Sequence, residues 1–342
     1  MRESRRASTS SSEQEDVLLK TRYLTLLLVV ACAGSGTTTT DPTTSSAPSS
    51  TAPASTTTAA APTTTAAFPV TVTAANGEVT LSQRPEAIVS MSASATEMLF
   101  AIGAGDQVVA VDTTSNYPPE APITDLSAFT PNAEAIASYA PDLVLISFDA
   151  NELLASLNEL EIPTLLLPAP ATLDDVWAQF QTLGAATGHV EEAGGAVTEI
   201  EADLEEIIAG TPSASGLTYY YELDPTYFSL TSQTFVGSLI GELGLANIAD
   251  AADPEGEAFG YPQLTAEYII TSDPDLIILA DTLCCEQDAQ AVAARPGWEE
   301  LKAVTGGGVV ELNDDVASRW GPRITDLLGA VAGKVNELVA SS

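Results

Sequence analysis

From Phe68 onward the chain alternates short, wholly apolar runs with stretches in which apolar residues recur every three or four positions. Runs such as Leu143-Val144-Leu145-Ile146 are apolar on both faces, as in strands of a parallel sheet covered by helices on each side. The pattern predicts strands at Ala87 to Met91, Val108 to Val111, Leu143 to Ser147 and Thr164 to Leu167, then at Leu217 to Glu222, Leu276 to Ala280 and Val309 to Leu312. Between the two groups, Val176, Phe180, Leu183, Val197, Ile200, Leu204, Ile207 and Ile208 follow helical spacing. They predict a long amphipathic helix within 172–210, interrupted near Gly184 to Gly195. The expected fold class is α/β: two doubly wound lobes with parallel-rich sheets, joined by a single long rigid helix.

A weak repeat supports two like-built lobes. Ala133-Glu134-Ala135-Ile136 followed by Pro141-Asp142-Leu143-Val144-Leu145-Ile146 returns as Ala266-Glu267-Tyr268-Ile269 and Pro274-Asp275-Leu276-Ile277-Ile278-Leu279, at a constant offset of 133 residues. In each copy a short helix should end before a Pro-Asp turn that launches a buried strand.

The first fifth of the chain is built differently. Lys20 and Arg22 precede an apolar run, Tyr23 to Ala31, far shorter than the roughly 20 residues a membrane-spanning helix needs. It has the size of a signal-peptide core. The run ends in Val29-Val30-Ala31-Cys32, which resembles a bacterial lipobox and marks Cys32 for lipidation; the polar residues before Val17 read as an extension from a start codon assigned too early. From Ala33 to Ala67 the chain holds only Ala, Gly, Ser, Thr and Pro, Asp41 excepted, too little apolar volume to offset the entropy of ordering. The expected division is a signal peptide at 1–31, a lipidated Cys and disordered tether at 32–67, an N-terminal lobe at 68–171, a connecting helical segment at 172–210 and a C-terminal lobe at 211–342.

Charge narrows the partners. With 47 acidic against 11 basic side chains, the net charge of −36 has the wrong sign for nucleic acid or anionic headgroups, leaving a lipid anchor as the membrane contact. Five cations fall in the first 31 residues, so Arg84, Arg295, Lys302, Arg319, Arg323 and Lys334 are all that remain for the rest. The single His, His189, cannot build a His-based zinc cluster and lies beside Gly188, away from any strand end where a Ser-His-Asp triad would form. No Walker-type phosphate loop appears. Nothing here calls for an enzyme, a cofactor or a directly bound metal. If Cys32 carries lipid, the adjacent Cys284 and Cys285 are the remaining thiols; a strained vicinal disulfide, a soft-metal or ligand contact and free thiols all stay open.

Arg84-Pro85-Glu86-Ala87-Ile88-Val89-Ser90, Ser94-Ala95-Thr96-Glu97-Met98-Leu99-Phe100-Ala101-Ile102-Gly103 and Asn116-Tyr117-Pro118-Pro119 resemble the N-lobe of substrate-binding lipoproteins of the siderophore, haem and cobalamin uptake class of ABC importers. Phe235-Val236-Gly237-Ser238-Leu239-Ile240-Gly241-Glu242-Leu243-Gly244 and Ala294-Arg295-Pro296-Gly297-Trp298 resemble their C-lobe. The resemblance implies a ligand held between the lobes of a monomer on the outer face of the cytoplasmic membrane. It also implies docking of Glu97 and Glu242, one per lobe, onto arginines of a permease dimer. Arg319-Trp320-Gly321-Pro322-Arg323 is similar to a family segment whose first Arg faces the cleft, and Arg323 is expected in a structural salt bridge. Strand ends and aromatic character select Ser94, Tyr117, Phe129, Phe148, Tyr221, Tyr227, Tyr261, Cys284, Arg319 and Trp320 as candidate ligand contacts. A ferric siderophore is the first expected ligand, then cobalamin, then haem, which the single His disfavours. Direct iron binding by tyrosines, a metal-chelatase-like enzyme and a transporter-independent sensor lipoprotein are the alternatives.

Overall fold

A computed structural model describes residues 67–341. The expected signal peptide, Cys32 and the expected tether up to residue 66 lie outside the described residues.

A hairpin comes first: β1 (Val70–Ala74) pairs antiparallel with β2 (Gly77–Leu81). The N-lobe sheet then takes β3 (Ile88–Met91), β4 (Val108–Val111), β5 (Leu143–Ile146) and β6 (Thr164–Leu166), all parallel, in the order β4-β3-β5-β6. The C-lobe sheet takes β7 (Thr218–Glu222), β8 (Ala246–Asn247), β9 (Leu276–Leu279) and β10 (Val309–Glu311), also parallel, in the order β10-β9-β7-β8. In both sheets the first strand lies between the second and the third. The topological switch points therefore fall between β3 and β5 and between β7 and β9, at whose carboxyl ends such sheets open a crevice.

Each predicted strand is present. The hairpin and β8 have no counterpart in the sequence reading. The hairpin closes an edge: the Asn76 amide donates to the Thr164 carbonyl at 2.9 Å and accepts from the Leu166 amide at 3.0 Å, while the Ala75 amide donates to the Leu166 carbonyl. An open β6 would otherwise offer its unpaired backbone to another chain.

The helices among the described residues are α1 (Ala93–Ala101), α2 (Ala133–Ala137), α3 (Leu153–Glu159), α4 (Leu173–Thr187), α5 (Val190–Gly210), α6 (Phe235–Gly241), α7 (Ala266–Ser272), α8 (Ala289–Ala293), α9 (Lys302–Thr305), α10 (Asp314–Ser318) and α11 (Ile324–Ser341). Side-chain caps set several starts: Ser92, Asn132, Thr172, Thr265 and Asp288 each accept from a backbone amide three residues on, and Thr172 with Asp175 completes a capping box.

The repeat is structural. Asp142 accepts from the amides of Glu86 and Ala87 at the start of β3, and Asp275 accepts from the amide and hydroxyl of Thr218 at the start of β7. Each Pro-Asp turn thus fastens the third strand of its lobe to the first.

The segment 172–210 is two helices rather than one. Gly188 takes φ +80° and caps α4 in the left-handed conformation, and α5 restarts after His189. Helix α4 packs on β1 and α1 of the N-lobe, whereas α5 packs on α4 and on α11 of the C-lobe. The rigid connector is α5 alone, about 30 Å long for its 21 residues.

Strand alternation sorts the core. Ile88, Leu143, Leu145, Tyr219, Tyr221, Leu276 and Ile278 face one apolar core shared by both lobes with α4, α5 and α11. Val89, Val144 and Ile146 face a separate N-lobe core, and Tyr220, Ile277 and Leu279 a separate C-lobe core with Trp298. A core running through both lobes resists their relative motion, because packed interiors deform little.

Candidate functional site

At the N-lobe switch point, Ser92 caps α1, and the helix it starts buries Ser94 and Glu97. From the other lobe, the segment joining α10 to α11 brings Arg319, Trp320 and Arg323 onto them. Arg319 donates to Glu97 Oε1 at 2.8 Å, to the Thr114 carbonyl at 2.8 Å, to Asn116 Oδ1 at 2.9 Å and to Asp315 at 2.5 Å. Arg323 donates to both oxygens of Glu97, at 2.9 and 2.5 Å, and its guanidinium lies 4.2 Å from the centre of the Tyr117 ring. The Trp320 amide donates to Ser94 Oγ at 3.1 Å and its indole N–H to Gln179 at 2.9 Å. Asn116 closes the seam by donating to Asp315 at 2.8 Å.

Two C-lobe arginines therefore meet one N-lobe carboxylate, Glu97, with Asp315 of their own lobe as the second, and Glu97 is only 2% and Arg319 only 8% exposed. The seam carries no surplus positive charge. Elsewhere Arg84 donates to the Thr187 carbonyl and contacts His189, Arg295 pairs with Glu222, Lys302 with Asp273 and Lys334 with Glu337. All six cations after residue 31 are thus engaged within the chain.

Three expectations are corrected by this geometry, and one alternative left open is decided. Glu97 is a buried cross-lobe acceptor, not an exposed docking charge; Glu242, by contrast, is exposed just past the end of α6. Arg319 is committed to the seam rather than left free to face a ligand. Tyr221 is fully buried and donates to the Ala317 carbonyl at 3.1 Å, so it packs the shared core instead of lining a cleft. No disulfide joins Cys284 to Cys285; closing one between neighbours would strain the peptide between them. Burial pushes the Cys284 thiol well up, so it stays protonated.

The remaining candidates divide between the lobes. Tyr117 is 41% exposed beside the seam, and Phe129 and Phe148 pair with ring centroids 5.8 Å apart on loops that follow β4 and β5. Ser94, Tyr117 and Trp320 are brought together. Tyr227, at φ +70°, stacks on Trp298 at 5.8 Å, and Tyr261 packs half-buried against the shared core. Neither makes a hydrogen bond within the seam, although Tyr261 lies close to Tyr221, which binds the Ala317 carbonyl. His189 holds Thr187 and Arg84, and burial together with Arg84 lowers its pKa, so it is a neutral structural group.

Glu222 is singled out by its place at a strand end, but the partners Gln179, Asp281, Gln287 and Asp315 have no signal in the sequence. Asn116, Gln179 and Asp315 complete the seam, and Glu222, Asp281, Gln287 and Arg295 form a second polar cluster at the C-lobe switch point. The scarcity of cations is the one signal that points to either, since Arg295, Arg319 and Arg323 are three of the six that follow residue 31. A separate groove of about 500 Å³ lies between α5 and α11, away from both strand ends. Among the described residues no helix is long and apolar enough to cross a membrane.

The periplasmic binding protein family model matches residues 88–316. A curated relative, named as an uncharacterized ABC transporter substrate-binding lipoprotein of Bacillus subtilis, is 30% identical over 76% of this chain and 83% of its own length. A cobalamin-binding protein of Halobacterium salinarum is 30% identical over 78% of this chain and 73% of its own. The solved vitamin B12 binding protein of Vibrio cholerae superposes with a TM-score of 0.60 at 26% identity, covering 75% of this chain and 99% of that one. Two parallel sheets of like topology, their lobes joined across a polar seam, and a family match that spans both lobes place the chain in the periplasmic binding protein family.

Proposed function

We propose that this chain is the lipid-anchored, extracytoplasmic substrate-binding component of an ABC importer, and that its ligand is an uncharged or cationic metal chelate of the cobalamin type. The observation that carries the ligand class is the balanced charge of the cross-lobe seam. A ferric catecholate or a haem brings negative charge into the cleft and needs a cation to receive it. Here both arginines already serve Glu97, and drawing one away would leave that buried carboxylate with a single cation and the seam short of one positive charge. A corrinoid, large and rimmed with neutral amides, asks instead for aromatic area and hydrogen-bonding groups such as Tyr117, Phe129, Phe148 and Trp320. The names of the Halobacterium and Vibrio relatives point the same way and move cobalamin ahead of the ferric siderophore that leads on sequence grounds.

Bare iron held by tyrosinates fits poorly. Burial raises the Tyr219 and Tyr221 hydroxyls well above their ordinary value, and the Tyr221 hydroxyl is already donating. Delivery would use Glu242 as a rim charge on the C-lobe, where complementarity sets orientation and encounter rate. Anchoring through Cys32 agrees with the lipoprotein name of the Bacillus relative.

Tryptophan fluorescence titration with cyanocobalamin, a cationic ferric hydroxamate and an anionic ferric catecholate tests the reading. Saturable quenching by cyanocobalamin, with no response to the catecholate, is expected. Tight binding of the catecholate alone would overturn the ligand class.

A further inference from the structure

The C-lobe switch point holds two buried carboxyl groups and one cation to serve them. Glu222 ends β7 and Asp281 lies two residues past the end of β9; both are 0% exposed. Arg295 gives both of its terminal nitrogens to Glu222, at 2.6 and 2.5 Å, and also reaches Gln287 at 2.6 Å. Neither oxygen of Asp281 receives a donor, its polar neighbour being the Glu222 carboxylate, which the nearby Tyr220 hydroxyl also approaches. The groups that face Asp281 are Glu222, Tyr220 and Tyr221 from β7, Asp314 from α10 and Arg295 following α8, while the Cys284 thiol on its own loop faces Asp314.

The loop after Asp281 is fastened on two sides. Inside, the amides of Cys285 and Gln287 donate to the Asp281 carbonyl at 3.3 and 3.4 Å, and the Gln287 side chain donates to the Cys285 carbonyl at 2.8 Å. Outside, Asp314 accepts from the Leu283 amide at 2.9 Å and the Cys284 amide at 2.7 Å, and the Thr282 hydroxyl donates to the Leu312 carbonyl at 2.6 Å. Asp314 opens α10, the helix that carries Asp315 and leads into Arg319. The loop thus links the carboxyl pair to the cross-lobe seam.

We propose that Asp281 and Glu222 share one proton and act as a pH-sensitive catch for the loop 282–287 at the edge of the cleft. With a proton on Asp281, its O–H can donate to Glu222, and the net charge of the pair with Arg295 is zero. Without it, two carboxylates face each other in an interior where one arginine is already divided between Glu222 and Gln287. The least costly relief is to admit water by releasing the loop. Burial, then the neighbouring Glu222, push Asp281 up to about 8, so the change falls at mildly alkaline pH. The inference stands whatever the ligand is.

The test is amide hydrogen exchange of the full-length chain between about pH 6 and pH 10, corrected for intrinsic rates, in wild type and in Asp281→Asn. The Asn side chain donates to Glu222 at every pH and mimics the protonated form. Wild-type protection of residues 282–287 should fall by at least about tenfold more than in the variant, the equivalent of one pKa unit or more. Parallel profiles in the two proteins would overturn the catch. Should Asp281→Asn fail to fold, infrared spectroscopy of wild type supplies the answer: a protonated-carboxyl band at neutral pH that disappears on passing about pH 8 supports the shared proton, and its absence at neutral pH refutes it.

Discussion

Changing Arg295 to Met leaves Glu222 fully buried with its charge unmatched, and such a loss should lower unfolding stability by about 3–5 kcal/mol, measured by urea titration. Asp281 adds a pH dependence of definite sign. Its folded pKa lies above the unfolded one, so the folded state binds the extra proton between about pH 4 and pH 8. The stability it supports is therefore complete at acid pH and is lost as pH rises toward about 8. Asp281→Asn should flatten this part of the profile, and melting temperature across that range reads it. Single residues were partly legible. Arg319 and Trp320 stood out because cations and tryptophans are scarce. The burial of Glu97 did not, since its partners Arg319 and Arg323 lie 222 and 226 positions away. Alternation put Tyr219 and Tyr221 on one face, but in a sheet covered on both sides it cannot say which face meets a cleft.

At the level of elements, α5 carries the link between lobes and yet contains Gly194 and Gly195, where an added Cβ meets nothing within 4 Å. Each Gly→Ala change there should stabilise the chain by about 0.5–1 kcal/mol, seen as a rise in melting temperature. Gly308 is the opposite case. A Cβ at that position would stand 2.2 Å from the Asp275 carbonyl, which is fixed at the mouth of β9, so Gly308→Ala should destabilise by about 1–3 kcal/mol. Strands were legible throughout because their apolar runs are short and bounded. The hairpin was available from Asn76-Gly77 between alternating Val and Thr, and was obscured by its position at the end of a segment with no core. The break between α4 and α5 was legible only as a region, because Gly184, Gly188, Gly194 and Gly195 look alike in sequence and only Gly188 takes a left-handed turn.

The whole molecule is two copies of one topology sharing a core, with a neutral seam across the opening between them. Docking belongs to this scale. Glu242→Lys should leave folding and ligand binding unchanged while lowering uptake in cells that depend on this protein, because Glu242 is exposed and makes no contact in the seam. Glu97→Lys should instead unfold or loosen the protein, because it would set three cations against Asp315 alone. Urea titration of both variants separates a docking charge from a structural one. The central claim is that both lobes grip one ligand across the seam. Hydrogen exchange of the protein with and without cyanocobalamin tests it most directly. Protection should appear together in the N-lobe segments 92–97 and 114–118 and in the C-lobe segments 282–287 and 317–320. Protection confined to one lobe, or to the groove between α5 and α11, would contradict it.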